Sequence, residues 1–330
     1  TITAASHYLP ENIISNSDME KFVETSDEWI QSRTGIKQRH KVKNGEATSS
    51  MGIKVANDIL EKKKINAKEI DVIITATITP DMLFPSTASI IQKEIGAINA
   101  WAFDLNAACS GFLFSLETAQ SLIESKKYKK ILVIGGDTMS SIIDYNDRAT
   151  CVLFGDGAGA ILLEPSSHEN GIIDSVLFTD GTGGDRLYMP GGGSLFPSSK
   201  KTIDSKFHYL KQDGREVYKS AVRGMTEAAL EILKRNSLSS NDIKLFIPHQ
   251  ANKRIIEACS QRLNLNSNKL RGFEPGKIGP KDGDDFIGGN YSTSLNLEAN
   301  FPNFFPEKSN ADIGLFLDAG NVWGVDYSES

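Results

Sequence analysis

Cys109, His249 and Asn290 are the residues of this chain whose types and surroundings suit chemistry. Cys109 lies in Asn106-Ala107-Ala108-Cys109-Ser110-Gly111. Upstream, Ala100 to Leu105 is a short apolar run that reads as a buried strand. Downstream, Phe112, Leu113, Leu116, Ala119, Leu122 and Ile123 recur at helical spacing, ending in Lys126-Lys127. The cysteine therefore falls where a strand turns into a buried helix, among that helix's first unpaired N–H groups. Those groups and the helix dipole favour a thiolate, the nucleophilic form. Its small neighbours leave room for a substrate at the sulfur. A free cysteine can also be merely a small buried hydrophobe, so the setting matters more than the residue.

His249 follows the apolar run Leu245-Phe246-Ile247 in Pro248-His249-Gln250-Ala251-Asn252. That is the carboxyl end of an expected strand, where open α/β sheets place their ligands. A structural histidine is the alternative reading. Asn290 stands in Gly288-Gly289-Asn290-Tyr291-Ser292-Thr293-Ser294, 181 residues after Cys109.

The elements that must position these groups show an internal repeat. Ile59-Leu60, Ile65, Ile70, Val72, Ile73 and Ile74 lie 173 residues before Ile232-Leu233, Leu238, Ile243, Leu245, Phe246 and Ile247. Both copies run helix, short polar link, buried strand. Two similar halves follow, roughly 1–170 and 171–330, each alternating helices with parallel-type strands. Asn290 then sits at a turn roughly equivalent to that of Cys109, facing it across a pseudo-twofold axis. In the first half, Ser26 caps a helix that ends at Gly35, with Trp29 and Arg33 on one face. Such a pair holds a flat aromatic ligand or simply covers a domain edge. Ala47 to Leu60 reads as a helix, Ile70 to Ile74 as a strand, and Ile78 to Pro85 as a loop carrying Met82, Leu83 and Phe84. Lys130 to Gly136 reads as another strand, Cys151 to Phe154 as the next, and Gly155 to Gly159 as a tight turn. From Asp213 a helix runs to about Lys234, with Arg215, Lys219 and Arg223 on one stripe: a solvated face or a strip for an acidic partner.

Size and composition set the outer limits. The 330 residues suit two domains of ordinary size. A hydrophobic content of 39%, a charged content of 24% and a net charge of −6 fit a globular protein and argue against broad nucleic-acid binding. No apolar run approaches the roughly 20 residues that cross a bilayer. No signal-peptide pattern opens the sequence, so a cytoplasmic location and no membrane partner are expected. Three cysteines without a C-x-x-C pair, and five histidines without metal-ligand spacing, make a metal site unexpected.

The sequence resembles the β-ketoacyl-acyl-carrier-protein synthase III family. The likeness is carried by Asn-Ala-Ala-Cys-Ser-Gly-Phe at Cys109, Pro-His-Gln-Ala-Asn at His249 and Gly-Asn-x-Ser at Asn290. It extends to Trp29-Ile30-x-x-Arg33-Thr34-Gly35-Ile36, Phe84-Pro85-Ser86, Phe154 to Gly159, Pro190 to Ser194 and Gly214 to Lys219. It implies the thiolase fold, two pseudo-twofold-related βαβαβαββ halves in a five-layered α-β-α-β-α arrangement. It also implies a decarboxylative Claisen condensation of an acyl-CoA primer with malonyl-acyl-carrier-protein, in fatty acid biosynthesis, with no further cofactor. Cys109 would take the acyl group as a thioester. His249 and Asn290 would donate hydrogen bonds to the enolate formed when CO₂ leaves. The backbone N–H groups of Cys109 and Ala319 would hold the tetrahedral oxyanion. Trp29, Arg33, Arg148 and Asn252 would bind CoA, Phe84 would reach the acyl pocket of the second subunit of a homodimer, and Lys219 and Arg254 would meet the carrier protein.

The likeness decays after about Leu263. The stretch from His249 to Asn290 is some ten residues longer than the family pattern, and Asp318 stands where a glycine is expected beside the oxyanion turn. The rival readings are an acyltransferase or condensing enzyme of a secondary-metabolite pathway, and a non-catalytic partner subunit.

Overall fold

The computed structural model describes residues 1–166 and 171–265, with the backbone of four short strand segments beyond them. The chain opens with β1 (Ile2–Tyr8) and β2 (Asn12–Ser15), followed by the one-turn α1 (Asn16–Met19) and by α2 (Asp27–Thr34). Ser26 caps α2 by accepting from the Trp29 N–H, and Gly35 closes it at φ 79°, the left-handed cap that glycine takes without steric cost. Next come β3 (Gln38–Lys41), paired with β2, and α3 (Thr48–Lys63). Then β4 (Val72–Ala76), α4 (Thr87–Glu94), β5 (Trp101–Leu105) and α5 (Gly111–Glu124) alternate as the repeat requires. After β6 (Ile131–Thr138), α6 (Arg148–Cys151) leads into β7 (Asp156–Leu163).

One five-stranded sheet, in the order β1-β7-β6-β4-β5, organises this half. β4 runs parallel to both β5 and β6, while β7 is antiparallel to β6 and β1 antiparallel to β7. Every residue of β4 is buried, as expected of a parallel strand covered on both faces. Its period of two divides the core. Ile73 faces Met51, Val55 and Ile59 of α3 and Ile91 of α4. Val72 and Ile74 face Phe112, Leu116 and Ala119 of α5 on the other side. A fully buried isoleucine of this kind contributes roughly 1.5–3 kcal/mol. A third cluster joins Met19 and Ile30 to Met139, Cys151 and Leu210.

Three expectations are corrected. The run expected to be a buried strand forms the edge strand Trp101–Leu105, with Trp101 43% exposed, because among the described residues β5 has a neighbour on one side only. The stretch 151–154 is no strand: Asp147 caps α6 by accepting from the Ala149 N–H, so the chain is helical through Cys151. Gly157 and Gly159 do not turn the chain but lie within β7, opposite Asp137 and Gly135. Their neighbour Gly155 passes so close to β3 that a Cβ on it would sit 3.0 Å from the Arg39 Cβ.

Further along are β8 (Leu187–Tyr188), α7 (Lys200–Asp204), β9 (Lys211–Gln212), the long α8 (Gly214–Arg235) and α9 (Lys253–Arg262). α8 and α9 pack through Val222, Ile255 and Cys259. Asp213 caps α8 by accepting from the N–H groups of Arg215 and Glu216. Of the expected strand at 245–247, only Phe246 forms a bridge. The last described segments are β10 (Lys281–Asp282) with β11 (Asp285–Phe286), and β12 (Ser292–Ser294) with β13 (Ala319–Val322).

Candidate active site

Cys109 sits beyond the carboxyl end of β5, in a single 3-10 turn, Ala108–Ser110, that feeds α5. It therefore stands just ahead of the helix's first turn rather than within it. The turn is tight: the Ser110 N–H donates to the Ala107 carbonyl at 3.1 Å, and Ala108 adopts φ 47°. That left-handed conformation disfavours a residue with a Cβ and is the kind of strain that functional turns retain. Gly111 lets α5 start close to the sheet, since a Cβ there would lie 3.3 Å from the Ala76 Cβ. Ser110 makes no capping bond with its side chain, so it does not occupy the first amides of α5.

The three thiols differ sharply. Cys109 is exposed, whereas Cys151 and Cys259 are buried. Burial pushes the Cys151 thiol up to about 11 and raises that of Cys259 as well. A group held neutral and enclosed makes a poor nucleophile, which leaves Cys109.

His249 is partly buried, in a link fixed at both ends. On one side Pro248 is buried and its carbonyl accepts from Gln250 Nε2 at 2.9 Å. On the other, Asn252 Oδ1 accepts from the Ile255 N–H at 3.0 Å, capping α9. Asn252 thus has a structural task besides the ligand contact expected of it. Asn290 lies outside the described residues. Ala319 opens β13, where it pairs with Ser294.

The residues expected around a nucleotide are brought together in part. The Arg148 guanidinium lies 4.1 Å from the centre of the Trp29 ring, a cation–π stack joining α6 to α2. The cation on the indole is therefore Arg148, not Arg33, which is exposed in the last turn of α2. α2 also packs on α9, the helix that Asn252 caps. Arg254 of α9 lies 5.8 Å from the Tyr218 ring of α8, beside Lys219. The basic stripe on α8 is partly neutralised: Lys219 pairs with Glu216 at 2.7 Å and Arg223 with Asp180 at 3.6 Å. Met82, Leu83 and Phe84 are 50%, 83% and 83% exposed.

Sequence reasoning overlooked the carboxylates that brace this end of the sheet. Asp104 accepts from the N–H groups of Thr87 and Ala88, both at 2.7 Å, pinning α4 to β5. Asp81 accepts from the Ser49 N–H at 2.9 Å and from its hydroxyl. Asp137 accepts from residues 77–79. For Asp104 and Asp137 the available signal was a carboxylate one residue before the end of an apolar strand; Asp81, in the loop after β4, carried no such signal. Among the described residues, no group of His, Cys, Asp and Glu side chains is placed to hold a metal, and no helix is long and apolar enough to cross a membrane.

Comparison with known proteins gives two family matches. The sequence model for 3-oxoacyl-[acyl-carrier-protein] synthase III matches residues 103–181, which include Cys109. The model for the Omp85 superfamily domain matches residues 185–330, less than half of the chain, and that stretch contains His249, Asn290 and Ala319. A β-ketoacyl-[acyl-carrier-protein] synthase III of Chlorobium chlorochromatii is 54% identical over 272 residues, 82% of this chain and 83% of the relative. The enzyme of that name from Koribacter versatilis is 52% identical over 271 residues, covering 82% and 81%. Among solved structures, the synthase III of Aquifex aeolicus aligns with a TM-score of 0.74 at 39% identity, over 82% of this chain and 83% of that one. The Thermus thermophilus synthase III gives 0.75 at 41%, with the same coverage. These neighbours fix the fold class as the thiolase fold. With a cysteine on the turn after β5, and about half identity to these synthases over four-fifths of its length, the chain belongs to the β-ketoacyl-[acyl-carrier-protein] synthase III family.

Proposed function

We propose that this chain is an acyltransferase catalysing the initiating decarboxylative condensation of an acyl-CoA primer with malonyl-acyl-carrier-protein. The observation that carries the reading is the exposed Cys109, on a strained turn at the mouth of α5, within a chain half identical to synthases of that name. The Cys109 thiolate attacks the primer's carbonyl, its C–S bond forms, and the CoA thiolate leaves. The malonyl thioester then releases CO₂, and the electron pair of the broken C–C bond becomes an enolate. A neutral His249 donates a ring N–H to the enolate oxygen, with Asn290 as the second donor. The enolate carbon attacks the acyl carbonyl, and Cys109 leaves as a thiolate. The Cys109 N–H holds the oxyanion, together with that of Ala319.

Trp29, Arg33, Arg148 and Asn252 form the CoA site, and Lys219 and Arg254 the carrier-protein contact. No cofactor takes part. The two halves divide near residue 170. A homodimer fits the apolar surface of Met82, Leu83, Phe84, Ile98 and Trp101 beside the β5 edge, which has no strand neighbour among the described residues. A cytoplasmic setting fits the soluble substrates.

A second reading has its own support. The Chlorobium chlorochromatii relative aligns with 272 of the 330 residues, and Asn290 and Ala319 lie where the Omp85 model matches and the synthase model, which ends at residue 181, does not. On this reading the chain lacks the family's carboxamide donor: it loads an acyl group on Cys109 and decarboxylates malonate poorly. One set of measurements separates the two. The Cys109 adduct is weighed by mass spectrometry after incubation with a panel of acyl-CoAs, and CO₂ release is followed with malonyl-acyl-carrier-protein. Cys109→Ala should abolish loading. His249→Ala and Asn290→Ala should keep loading and lose CO₂ release by about 10²-fold or more. If the unaltered chain loads normally while CO₂ release is near background and insensitive to Asn290→Ala, the second reading holds. If no acyl group reaches Cys109, both fall.

A further inference from the structure

We infer that Asp137 is a positioning residue for Cys109, acting through residues 77–79. The inference deepens the condensing-enzyme reading and rests on it. Asp137 stands near the carboxyl end of β6, two strands away from β5 in the sheet. Its Oδ1 accepts from Thr77 Oγ1 at 2.9 Å, the Ile78 N–H at 2.8 Å, the Thr79 N–H at 3.1 Å and Thr79 Oγ1 at 2.9 Å. Two backbone amides and two hydroxyls thus converge on one oxygen. A carboxylate makes the strongest acceptor for such a set. Burial pushes the Asp137 carboxyl pKa up against the pull of these donors.

The same residues are gripped from behind. Thr48 Oγ1 donates to the Thr79 carbonyl at 2.6 Å, and the Thr138 N–H donates to Thr79 Oγ1 at 2.7 Å. In front, the Thr77 N–H donates to the Leu105 carbonyl at 3.2 Å. Leu105 is the last residue of β5, four before Cys109. Ala76, next to Thr77, forms the wall that Gly111 approaches. Residues 76–79 therefore touch the nucleophile turn at both of its ends, Leu105 and Gly111. Between those ends lies Ala108, in a conformation that persists only where the surroundings dictate it. Asp137 sets the shape of 77–79, and 77–79 sets where the cysteine turn begins.

The test uses the full chain with Asp137→Ala, Asp137→Asn and Thr77→Val. Three quantities are read: the iodoacetamide alkylation rate of Cys109, located by mass mapping; the saturating acylation rate and KM for acyl-CoA; and the melting temperature. Asp137→Ala should slow alkylation and saturating acylation about tenfold or more, with KM within about twofold, as for a displaced reacting group. Asp137→Asn keeps an acceptor oxygen in place and should recover most of that loss. Thr77→Val removes one of the four donors and should slow both rates about two- to threefold. A folded Asp137→Ala protein that alkylates and loads at the unaltered rate overturns the inference. If that variant does not fold, unchanged alkylation in both Asp137→Asn and Thr77→Val overturns it instead. Alkylation needs no acyl-CoA. A chain that loads nothing, yet loses alkylation in Asp137→Ala, would keep the positioning role and reject the condensing reading.

Discussion

The two copies of the 173-residue repeat share an apolar pattern but not its fate. In the first, Ile59, Ile70, Val72, Ile73 and Ile74 are all 0% exposed, while Leu60 and Ile65 are half-buried. In the second, Leu233 is 8% and Leu238 is 46% exposed, and Ile243, Leu245, Phe246 and Ile247 are all partly exposed. β4 has a strand on each side and helices on each face, whereas, among the described residues, 245–247 make one bridge. A pattern of apolar residues expresses a capacity to be buried; flanking strands and a covering helix turn it into burial. The second copy also falls within the stretch matched by the Omp85 model, beyond residue 181 where the synthase model ends.

The largest expected effect breaks the first copy. Ile74→Ala should cost about 2–5 kcal/mol in denaturant unfolding, because the methyls lost lie between Phe112 and the neighbouring strands. Its counterpart, Ile247→Ala, should cost about 1 kcal/mol or less. Equal costs would mean that the second copy is as enclosed as the first. Hydrogen exchange gives a finer comparison: the amides of β4 should exchange only with global unfolding, and those of 243–247 through local opening, so the two sets should differ by orders of magnitude in protection.

The smallest effect concerns a single ion pair between residues far apart in sequence. Lys206 meets Asp144 at 2.7 Å, and that hydrogen bond, aided by Asn146, holds the Asp144 carboxyl down at about 2. A carboxyl lowered in the folded state adds stability above its unfolded value, near 3.8, and loses it as pH falls from there toward 2. Lys206 is half exposed, so Lys206→Met should lower the denaturant midpoint only slightly at neutral pH. The difference from the unaltered chain should shrink in acid titrations between about pH 4 and 2.

Much of the first half was readable from sequence because its signals are local. Ser26 and Gly35 bound α2 as capping chemistry dictates, and the helical spacing after Gly111 placed α5. Cys109 was identified by the same strand-to-helix junction that the structure displays. The glycines of 155–159 misled, because a glycine inside a strand and one in a turn look alike until the neighbouring strand is known. Asp137, Asp104 and Asp81 went unseen for a related reason: their partners are backbone amides brought close only by folding. The stacking of Arg148 on Trp29 joins residues far apart in sequence, and no spacing rule reaches that far.

The loop that carries Leu83 and Phe84 has the look of a preferred cutting site, being apolar, exposed and at a chain bend. Both its ends are nonetheless pinned, by Asp81 to the start of α3 and by Asp104 to the start of α4. A protease needs an extended stretch of substrate longer than the loop's free span, so digestion here must wait for α4 to detach from the sheet. In limited proteolysis by chymotrypsin, the bond after Leu83 should therefore outlast less exposed sites whose flanks are unbraced.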